Sequence, residues 1–184
     1  MQFIINSSIL QETLNIVNKA ISSASPIPSL LGIYIEAFDN KLTVITSNEK
    51  ISIKTYMESE AGLEIKENGR LLIMANYLNE IVRKIGGKEI KFETIDGTLT
   101  SISSQQAEFK INGLNPDDYP AIDFDAHSNF EKVSVKTLNN LTRATSFATS
   151  DKETRPALCG VNLKYSDEIL MATGTDSYRL AQVK

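Results

Sequence analysis

The residues best suited to chemistry lie in one acidic stretch, Asp123-Phe124-Asp125-Ala126-His127. Asp123, Asp125 and His127 are spaced two apart, and they are ligand types that could hold a divalent cation for a metal-dependent enzyme. The segment is also polar and turn-rich, and a flexible loop holds no preorganised ligand geometry. A solvated acidic linker with no metal is therefore the simpler interpretation.

Other catalytic signatures are absent from the sequence. It has no glycine-rich phosphate loop, no dinucleotide fingerprint, no nucleophile elbow and no paired C-x-x-C motif. The one cysteine, Cys159, lies in an apolar alternating run with no histidine nearby, which predicts a buried structural thiol in preference to a nucleophile. Apart from the acidic stretch, the sequence therefore shows no sign of catalysis, and we expect no cofactor.

Length and charge limit the class of protein. The chain has 184 residues, 41% of them apolar, and a net charge of −4, which suits a soluble globular protein of one or two domains. Its apolar runs are short, its N-terminus lacks a secretory pattern, and a single cysteine fits a reducing compartment. We expect a cytoplasmic protein with no membrane partner. The acidic balance by itself argues against a general nucleic-acid binder.

The predicted helices reverse this balance. Residues 9–22, 76–85 and 135–148 have apolar residues at helical spacing and together carry five basic and two acidic side chains. The basic residues are Lys19, Arg83, Lys84, Lys136 and Arg143. If such helices line one side, an acidic protein can present a positive surface that holds DNA of any sequence through its phosphates. Ordinary solvated helix faces are the alternative.

Alternating runs between the helices predict short antiparallel strands. The chain begins with the order strand, helix, strand, strand, strand, with Ser7 or Ser8 as helix cap and a tight turn at Asp39-Asn40. Residues 70–111 repeat that order. A linker is predicted at residues 115–129, a strand at 133–135, a helix at 135–148, and then three strands that end near Leu180.

The last third of the chain repeats its beginning at a spacing of 128 residues. Pro28 aligns with Pro156, and Gly32 aligns with Gly160. Proline, glycine and apolar positions that recur together indicate a duplicated fold unit. The second copy contains half a unit, which would leave a sheet edge unpaired and a helix face half covered. We therefore expect a fragment, or a chain that a partner completes.

Four motifs carry a resemblance to a known family. They are K-A-I-S-S at residues 19–23, A-E-F-K-I-N-G-L followed by Y-P within residues 107–120, T-R-P-A-L-C-G-V at residues 154–161 and T-D-S-Y-R-L at residues 175–180. Their order and spacing resemble the N-terminal portion of the bacterial DNA polymerase III beta subunit, the sliding clamp, over all 184 residues.

The resemblance implies an α+β DNA-clamp fold of repeated βαβββ units, with helices on the inner face and antiparallel sheets outside. Residues 1–120 would form a complete first clamp domain, residues 121–129 a linker, and residues 130–184 the truncated first half of a second domain. The implied function is a non-catalytic processivity factor that encircles duplex DNA as a head-to-tail homodimer ring. It would bind peptides of the replicative polymerase and the clamp loader. A structural module that pairs through its strand edges is a further alternative.

Site residues follow from the resemblance and the helix charges. The expected DNA-binding residues are Lys19, Arg83, Lys84, Arg143 and Lys152. The expected partner-peptide pocket consists of Leu158, Thr175, Ser177, Tyr178, Arg179 and Leu180. The expected ring interface consists of Tyr77, Ile81, Phe109 and Ile111.

By the same resemblance, the rest of the pocket and the complementary ring surface would lie beyond Lys184. We therefore expect this chain to be monomeric and to bind clamp-binding peptides weakly or not at all. Two positions depart from the family pattern. The loop at residues 22–25 lacks the usual basic residue, and Gly174 replaces the more usual alanine, whose loss should loosen the pocket rim.

Overall fold

The computed structural model describes residues 1–22, 24–58, 62–125, 132–152 and 154–184, which form two compact units, Met1–Phe124 and Asp125–Lys184. The helices are α1 (Ser7–Val17), α2 (Ala75–Lys84) and α3 (Val135–Thr145). The strands are β1 (Gln2–Asn6), β2 (Gly32–Phe38), β3 (Lys41–Ser47), β4 (Ser52–Glu58), β5 (Leu63–Glu67), β6 (Gly69–Met74), β7 (Glu89–Asp96), β8 (Leu99–Ser103), β9 (Glu108–Asn112), β10 (Asn162–Ser166), β11 (Ile169–Thr175) and β12 (Leu180–Val183). In the described ranges, no helix has the length and apolar character needed to cross a bilayer.

The first unit contains two antiparallel sheets and two helices around one core. The sheets have the strand orders β5-β1-β7-β8-β9 and β4-β3-β2-β6. Both sheets and both helices contribute to a single buried apolar cluster, in which the rings of Phe3 and Phe92 stack at 4.7 Å between centroids. In strands such as β1 and β7, alternate residues are buried on one face, which the other layers cover.

The N-cap of helix α1 lies one residue before the predicted caps. Asn6 is the N-cap, because its side-chain oxygen accepts a hydrogen bond of 2.9 Å from the Ser8 N–H, so the prediction of Ser7 or Ser8 as the cap was wrong. Leu10, Leu14 and Val17 are buried at helical spacing, as predicted. The burial of this stripe holds α1 on the sheets.

Strand β5 is an element that the sequence analysis did not predict. Leu63 and Ile65 alternate there with charged residues, so a period-two signal was present over five positions. The strand lies at the edge of the five-stranded sheet, where charged side chains are common because they hinder pairing with other chains. The predicted turn at Asp39-Asn40 is present, with φ values of 49° and 59°.

Residues after β9 pack on the four-stranded sheet. The Tyr119 ring lies 5.2 Å from the Tyr34 ring, and Arg70 Nη2 lies 3.0 Å from Asp117 Oδ1. Burial raises the pKa of Tyr119 to about 12. These contacts make the segment up to Phe124 part of the first compact unit.

The second unit consists of α3 and the antiparallel sheet β10-β11-β12. The predicted strand at residues 133–135 was wrong. Ser134 is instead the N-cap of α3, since its Oγ accepts a hydrogen bond of 3.0 Å from the Thr137 N–H, and Val135 is already helical. Among the described residues of this unit, the three strands pair with one another, so residues 132–134 have no strand beside them. The last strand begins at Leu180, where the prediction had it end.

The repeat at 128 residues is a structural repeat. Shifting α1 and β3 by 128 residues gives the bounds of α3 and β11. The turn at Asp167-Glu168, with φ values of 52° and 64°, matches the turn at Asp39-Asn40. The first half of the first unit and the described part of the second unit therefore share one plan.

Candidate functional site

Helices α1 and α2 lie side by side in the first unit and form an open groove. Asn18 and Asn79 hold the two helices together through reciprocal amide hydrogen bonds of 2.9 and 3.0 Å. The groove has a volume of about 460 Å³ and is lined by Gln11, Leu14, Asn15, Asn18, Asn79, Val82 and Arg83. Its polar wall consists mainly of uncharged amides, which donate hydrogen bonds to phosphate oxygens and also accept them from other donors.

Three of the expected DNA-binding residues lie on this helix pair. Lys19 is exposed in the 3₁₀ turn that extends α1. Arg83 and Lys84 lie in the last turn of α2, and both bind the carboxylate of Glu80, with Lys84 Nζ 2.8 Å from Glu80 Oε2. Hydrogen bonds from Lys84 and Arg83 hold the pKa of Glu80 below its usual value. The two cations therefore share one counter-charge.

Helix α3 presents the matching face of the second unit. Lys136, Asn139, Asn140 and Arg143 are exposed along it, and with Val135 they border an open depression of about 520 Å³. Lys136 is one of the basic residues on the predicted helices, but it is not among the expected DNA-binding residues. Lys136 and Arg143 are seven residues apart in the sequence, a spacing that places them on the same side of a helix.

The predicted pocket residues surround a tight turn between β11 and β12. Asp176 Oδ1 accepts hydrogen bonds of 2.9 Å from the N–H groups of Tyr178 and Arg179, and Oδ2 lies 3.0 Å from Arg179 Nε. The hydrogen bonds from Arg179 and Tyr178 lower the pKa of Asp176. Ser177 has a φ of 77°, a conformation that this side-chain clamp stabilises.

Thr175, which precedes Asp176, stabilises the same turn through its side-chain hydroxyl. Its Oγ1 donates a hydrogen bond of 2.7 Å to the Arg179 carbonyl and accepts one of 3.2 Å from the Ser177 N–H. Arg155 Nη1 donates to Ser177 Oγ at 3.3 Å, which ties the preceding loop to the turn. Thr175 therefore positions the turn, although we expected it in the pocket wall.

A depression of about 440 Å³ opens between this turn and the loop before β10. Four of the six expected residues line it, namely Leu158, Ser177, Tyr178 and Arg179. Lys152, which was expected to contact DNA, lies in the same wall, as do Arg155 and Asp176, which sequence reasoning missed. Tyr178 is 98% exposed and Leu180 is 66% exposed, so large apolar surfaces are available at this site.

Two expectations about this region were wrong. Cys159 is exposed at the end of a 3₁₀ turn, three residues before β10 begins, and its Sγ lies 3.3 Å from the Lys152 carbonyl oxygen. Gly174 does not loosen the rim. It is buried, and a Cβ added there would lie 2.3 Å from the Thr145 carbonyl oxygen, so glycine permits close packing of β11 on α3.

The expected ring-interface residues lie on α2 and β9 of the first unit. Tyr77 is 55% exposed in the first turn of α2. Ile81, Phe109 and Ile111 are partly buried against the core, and β9 is an edge strand of the five-stranded sheet. These residues place apolar side chains on α2 and on an edge strand, and an edge strand can pair with another chain.

The acidic stretch shows no metal site in the part of the chain that the structure describes. Across those residues, no three His, Cys, Asp or Glu side chains converge to hold an ion. Asp123 and Asp125 are described, whereas His127 lies outside the described residues.

Comparisons with known proteins decide the family. Residues 1–123 match the family model described as DNA polymerase III beta subunit, N-terminal domain, and residues 132–184 match the model of the central domain. The chain belongs to the DNA polymerase III beta subunit family. The predicted resemblance is therefore confirmed.

Individual members of the family agree with this assignment. The chain is 39% identical over 188 residues to the beta sliding clamp of Halalkalibacterium halodurans, covering all of this chain and 50% of that protein. It superposes on the crystal structures of the Bacillus subtilis sliding clamp and the Streptococcus pyogenes polymerase beta subunit with TM-scores of 0.94 and 0.92, at 37% and 31% identity, in each case over 99% of this chain and 49% of the other. These likenesses confirm the predicted α+β clamp fold. The chain spans about half the length of the relatives it matches.

Proposed function

We propose that this chain serves in a processivity factor of a replicative DNA polymerase, a non-catalytic ring that surrounds duplex DNA. Family membership over the whole chain supports the class of protein. The observation that carries the DNA contact is the exposed face of amides and cations on α1 and α2, which the face of α3 matches. Amide and cationic side chains can bind phosphate oxygens, and contacts to phosphates carry no sequence information.

The DNA-binding residues of this proposal are Lys19, Arg83, Lys84, Arg143 and Lys152. The first four lie on or directly after the helices, and Lys152 follows in the loop after α3. Their number is small, so the contact is weak and sensitive to salt, as a mobile clamp requires. The bacterial cytoplasm, where replication takes place, is the proposed location.

The depression beside Tyr178 is the proposed docking site for short peptides of the polymerase and the clamp loader. Leu158 supplies an apolar wall, and Tyr178 and Leu180 supply exposed apolar area beside it. The hydrogen-bonded turn around Asp176 presents these groups on a fixed backbone. The depression is open and shallow in this unit alone, so the chain by itself should bind such peptides weakly.

The surface of Tyr77, Ile81, Phe109 and Ile111 is the proposed ring contact. A head-to-tail contact is heterologous, which means that each side needs a different complementary surface on its neighbour. Two copies of this chain offer the same surface twice. We therefore expect the chain by itself to be a monomer, and sedimentation that showed a closed dimer would contradict this.

A charge-reversal variant tests the DNA contact. Combining Arg83→Glu, Lys84→Glu and Arg143→Glu should weaken binding of the chain to a labelled duplex at least about tenfold at low salt and flatten the salt dependence, because three phosphate contacts are replaced by repulsion. Unchanged affinity and slope would reject the proposal. That result would favour a structural module whose strand edges pair with protein.

A further inference from the structure

Glu80 stands between the two cations at the end of α2. The Arg83 guanidinium binds its Oε1, and Lys84 Nζ lies 2.8 Å from its Oε2. The Arg83, Lys84 and Glu80 side chains are 70%, 63% and 50% exposed, so all three face solvent at the proposed DNA surface. Both cations are therefore already engaged by a carboxylate before a phosphate approaches, and the cluster carries one net positive charge.

The matching face of the second unit has no such acid. Helix α3 contains Lys136 and Arg143 but no acidic residue. None of the ion pairs within the described ranges involves Lys136 or Arg143. Both border an open depression with Asn139 and Asn140. The two helix faces therefore differ in their attraction for an anion, and Glu80 is a direct cause of that difference.

We infer that Glu80 is a positioning residue that competes with DNA phosphates for Arg83 and Lys84 and so keeps the contact of α2 with the duplex weak. The inference rests on the proposed function, since it concerns the same helix face. An exposed ion pair exchanges readily, so a phosphate can displace the carboxylate. The displaced carboxylate remains close to the phosphate and repels it. A contact of this kind holds the duplex without arresting a ring that must move along it.

The test compares the 184-residue chain with its Glu80→Gln variant, which keeps the side-chain size and removes the charge. Binding to a fluorescently labelled duplex is followed by anisotropy from about 50 to 200 mM salt. The variant should bind about 3- to 10-fold more tightly at the low-salt end. Its plot of log affinity against log salt should be steeper by about 0.9, the value for one further phosphate neutralised.

Two controls separate this effect from a change in overall charge. Glu64→Gln removes one acidic charge from another exposed ion pair, with Lys66 at 3.8 Å on the edge strand β5, and should leave the affinity unchanged. Adding Arg83→Gln and Lys84→Gln to Glu80→Gln should abolish the gain. A thermal unfolding midpoint equal to that of the parent chain shows that each variant is folded.

The outcomes distinguish the inference from the proposed function. If Arg143→Gln weakens duplex binding while Glu80→Gln changes nothing, the inference is wrong and the proposed function stands. A gain that survives the loss of Arg83 and Lys84, or that Glu64→Gln reproduces, also overturns the inference. Duplex binding that none of these basic residues affects, or no binding at all, rejects the proposed function and the inference with it.

Discussion

The two units contain the same tight turn, held by the same hydrogen bonds. In the first unit, Asn48 Oδ1 accepts two backbone N–H groups at 3.1 and 2.9 Å, and in the second unit Asp176 Oδ1 accepts two at 2.9 Å. The next residue has a positive φ in both, 71° at Glu49 and 77° at Ser177. The backbone of the candidate pocket is therefore a general feature of the repeat, and its side chains must provide any specific function.

The side chains on this shared backbone differ. Leu30 is 2% exposed in the first unit, whereas its counterpart Leu158 is partly exposed and lines the open depression. Lys50 occupies the position that Tyr178 has in the second unit. At this place the second unit has a partly exposed leucine, Leu158, and an exposed tyrosine, Tyr178. The first unit has a buried leucine and a lysine there. This difference favours the proposed pocket in the second unit over an equivalent site in the first.

The cores of the two units also differ, because apolar positions that are buried in the first unit are exposed in the second. Ile35 and Ala37 are fully buried in the first unit, but their counterparts Leu163 and Tyr165 are 47% and 49% exposed. In the first unit these residues share one buried cluster with residues of the five-stranded sheet, and the described part of the second unit contains no equivalent sheet. Apolar burial that stabilises the first copy is therefore missing from the second.

The largest expected effect comes from matched leucines on α1 and α3. Leu10 is fully buried and Leu138 is 41% exposed. Leu10→Ala should lower the free energy of unfolding of the first unit by about 2–5 kcal/mol, because it leaves a cavity. Leu138→Ala should lower that of the second unit by less than about 1 kcal/mol. Urea titrations followed by NMR signals of each unit would measure both values, and equal costs would show that Leu138 is covered in solution.

A smaller effect is expected where β3 and β11 meet the end of their helices. Thr46 Oγ1 donates a buried hydrogen bond of 2.7 Å to the Val17 carbonyl, and at the matching place Gly174 packs against Thr145. Gly174→Ala should destabilise the second unit by about 1–3 kcal/mol through overpacking, and Thr46→Ala should destabilise the first by about 1–2 kcal/mol.

Gly160→Ala is the control, and the same urea titrations measure all three variants. No atom lies within 4 Å of a Cβ added at this residue, so Gly160→Ala should leave the stability nearly unchanged. If Gly174→Ala were as mild as Gly160→Ala, the close approach of β11 to α3 would not exist in solution.

The smallest expected effect is a pH dependence confined to one of the two turns. Hydrogen bonds from Arg179 and Tyr178 lower the pKa of Asp176, so its stabilisation of the turn is complete above about pH 4 and is lost as the pH falls through that lowered pKa. The amide NMR signals of Tyr178 and Arg179 should move in that range. The amide signals of Lys50 and Ile51, whose N–H groups donate to Asn48 Oδ1, should not move with that side chain, because an amide side chain does not titrate.

Asp176→Asn separates the charge from the geometry of the turn. The variant reproduces the arrangement that Asn48 has in the first unit, so it should keep the turn and abolish the pH dependence. Persistence of the acid transition in Asp176→Asn would assign it to another group.

Much of the fold could be predicted, because proline, glycine and apolar positions of the first copy recur in the second at a constant spacing. The bounds of α3 and β11 follow from α1 and β3 at the repeat spacing. Local patterns failed where a neighbour decides the outcome. Residues 133–135 have apolar alternation, but they lack a strand beside them among the described residues and the Ser134 cap starts a helix.

The candidate sites were predicted less completely than the fold. The pairing of Glu80 with Arg83 and Lys84 could have been recognised from spacings of three and four residues. The contact of Arg155 with Ser177 joins residues 22 apart in sequence, and no local pattern signals it. The burial of Gly174 depends on the approach of two elements, which the sequence alone does not show.

The central claim is that the exposed faces of the helices, and not the sheets, meet duplex DNA. Titrating a labelled chain with a short duplex at low salt and following its amide NMR signals would test it directly. We predict shifts along Gln11, Asn15, Asn79, Arg83, Asn139 and Arg143 that fade as salt is added. Shifts confined to the strands, or shifts that salt does not change, would contradict the account.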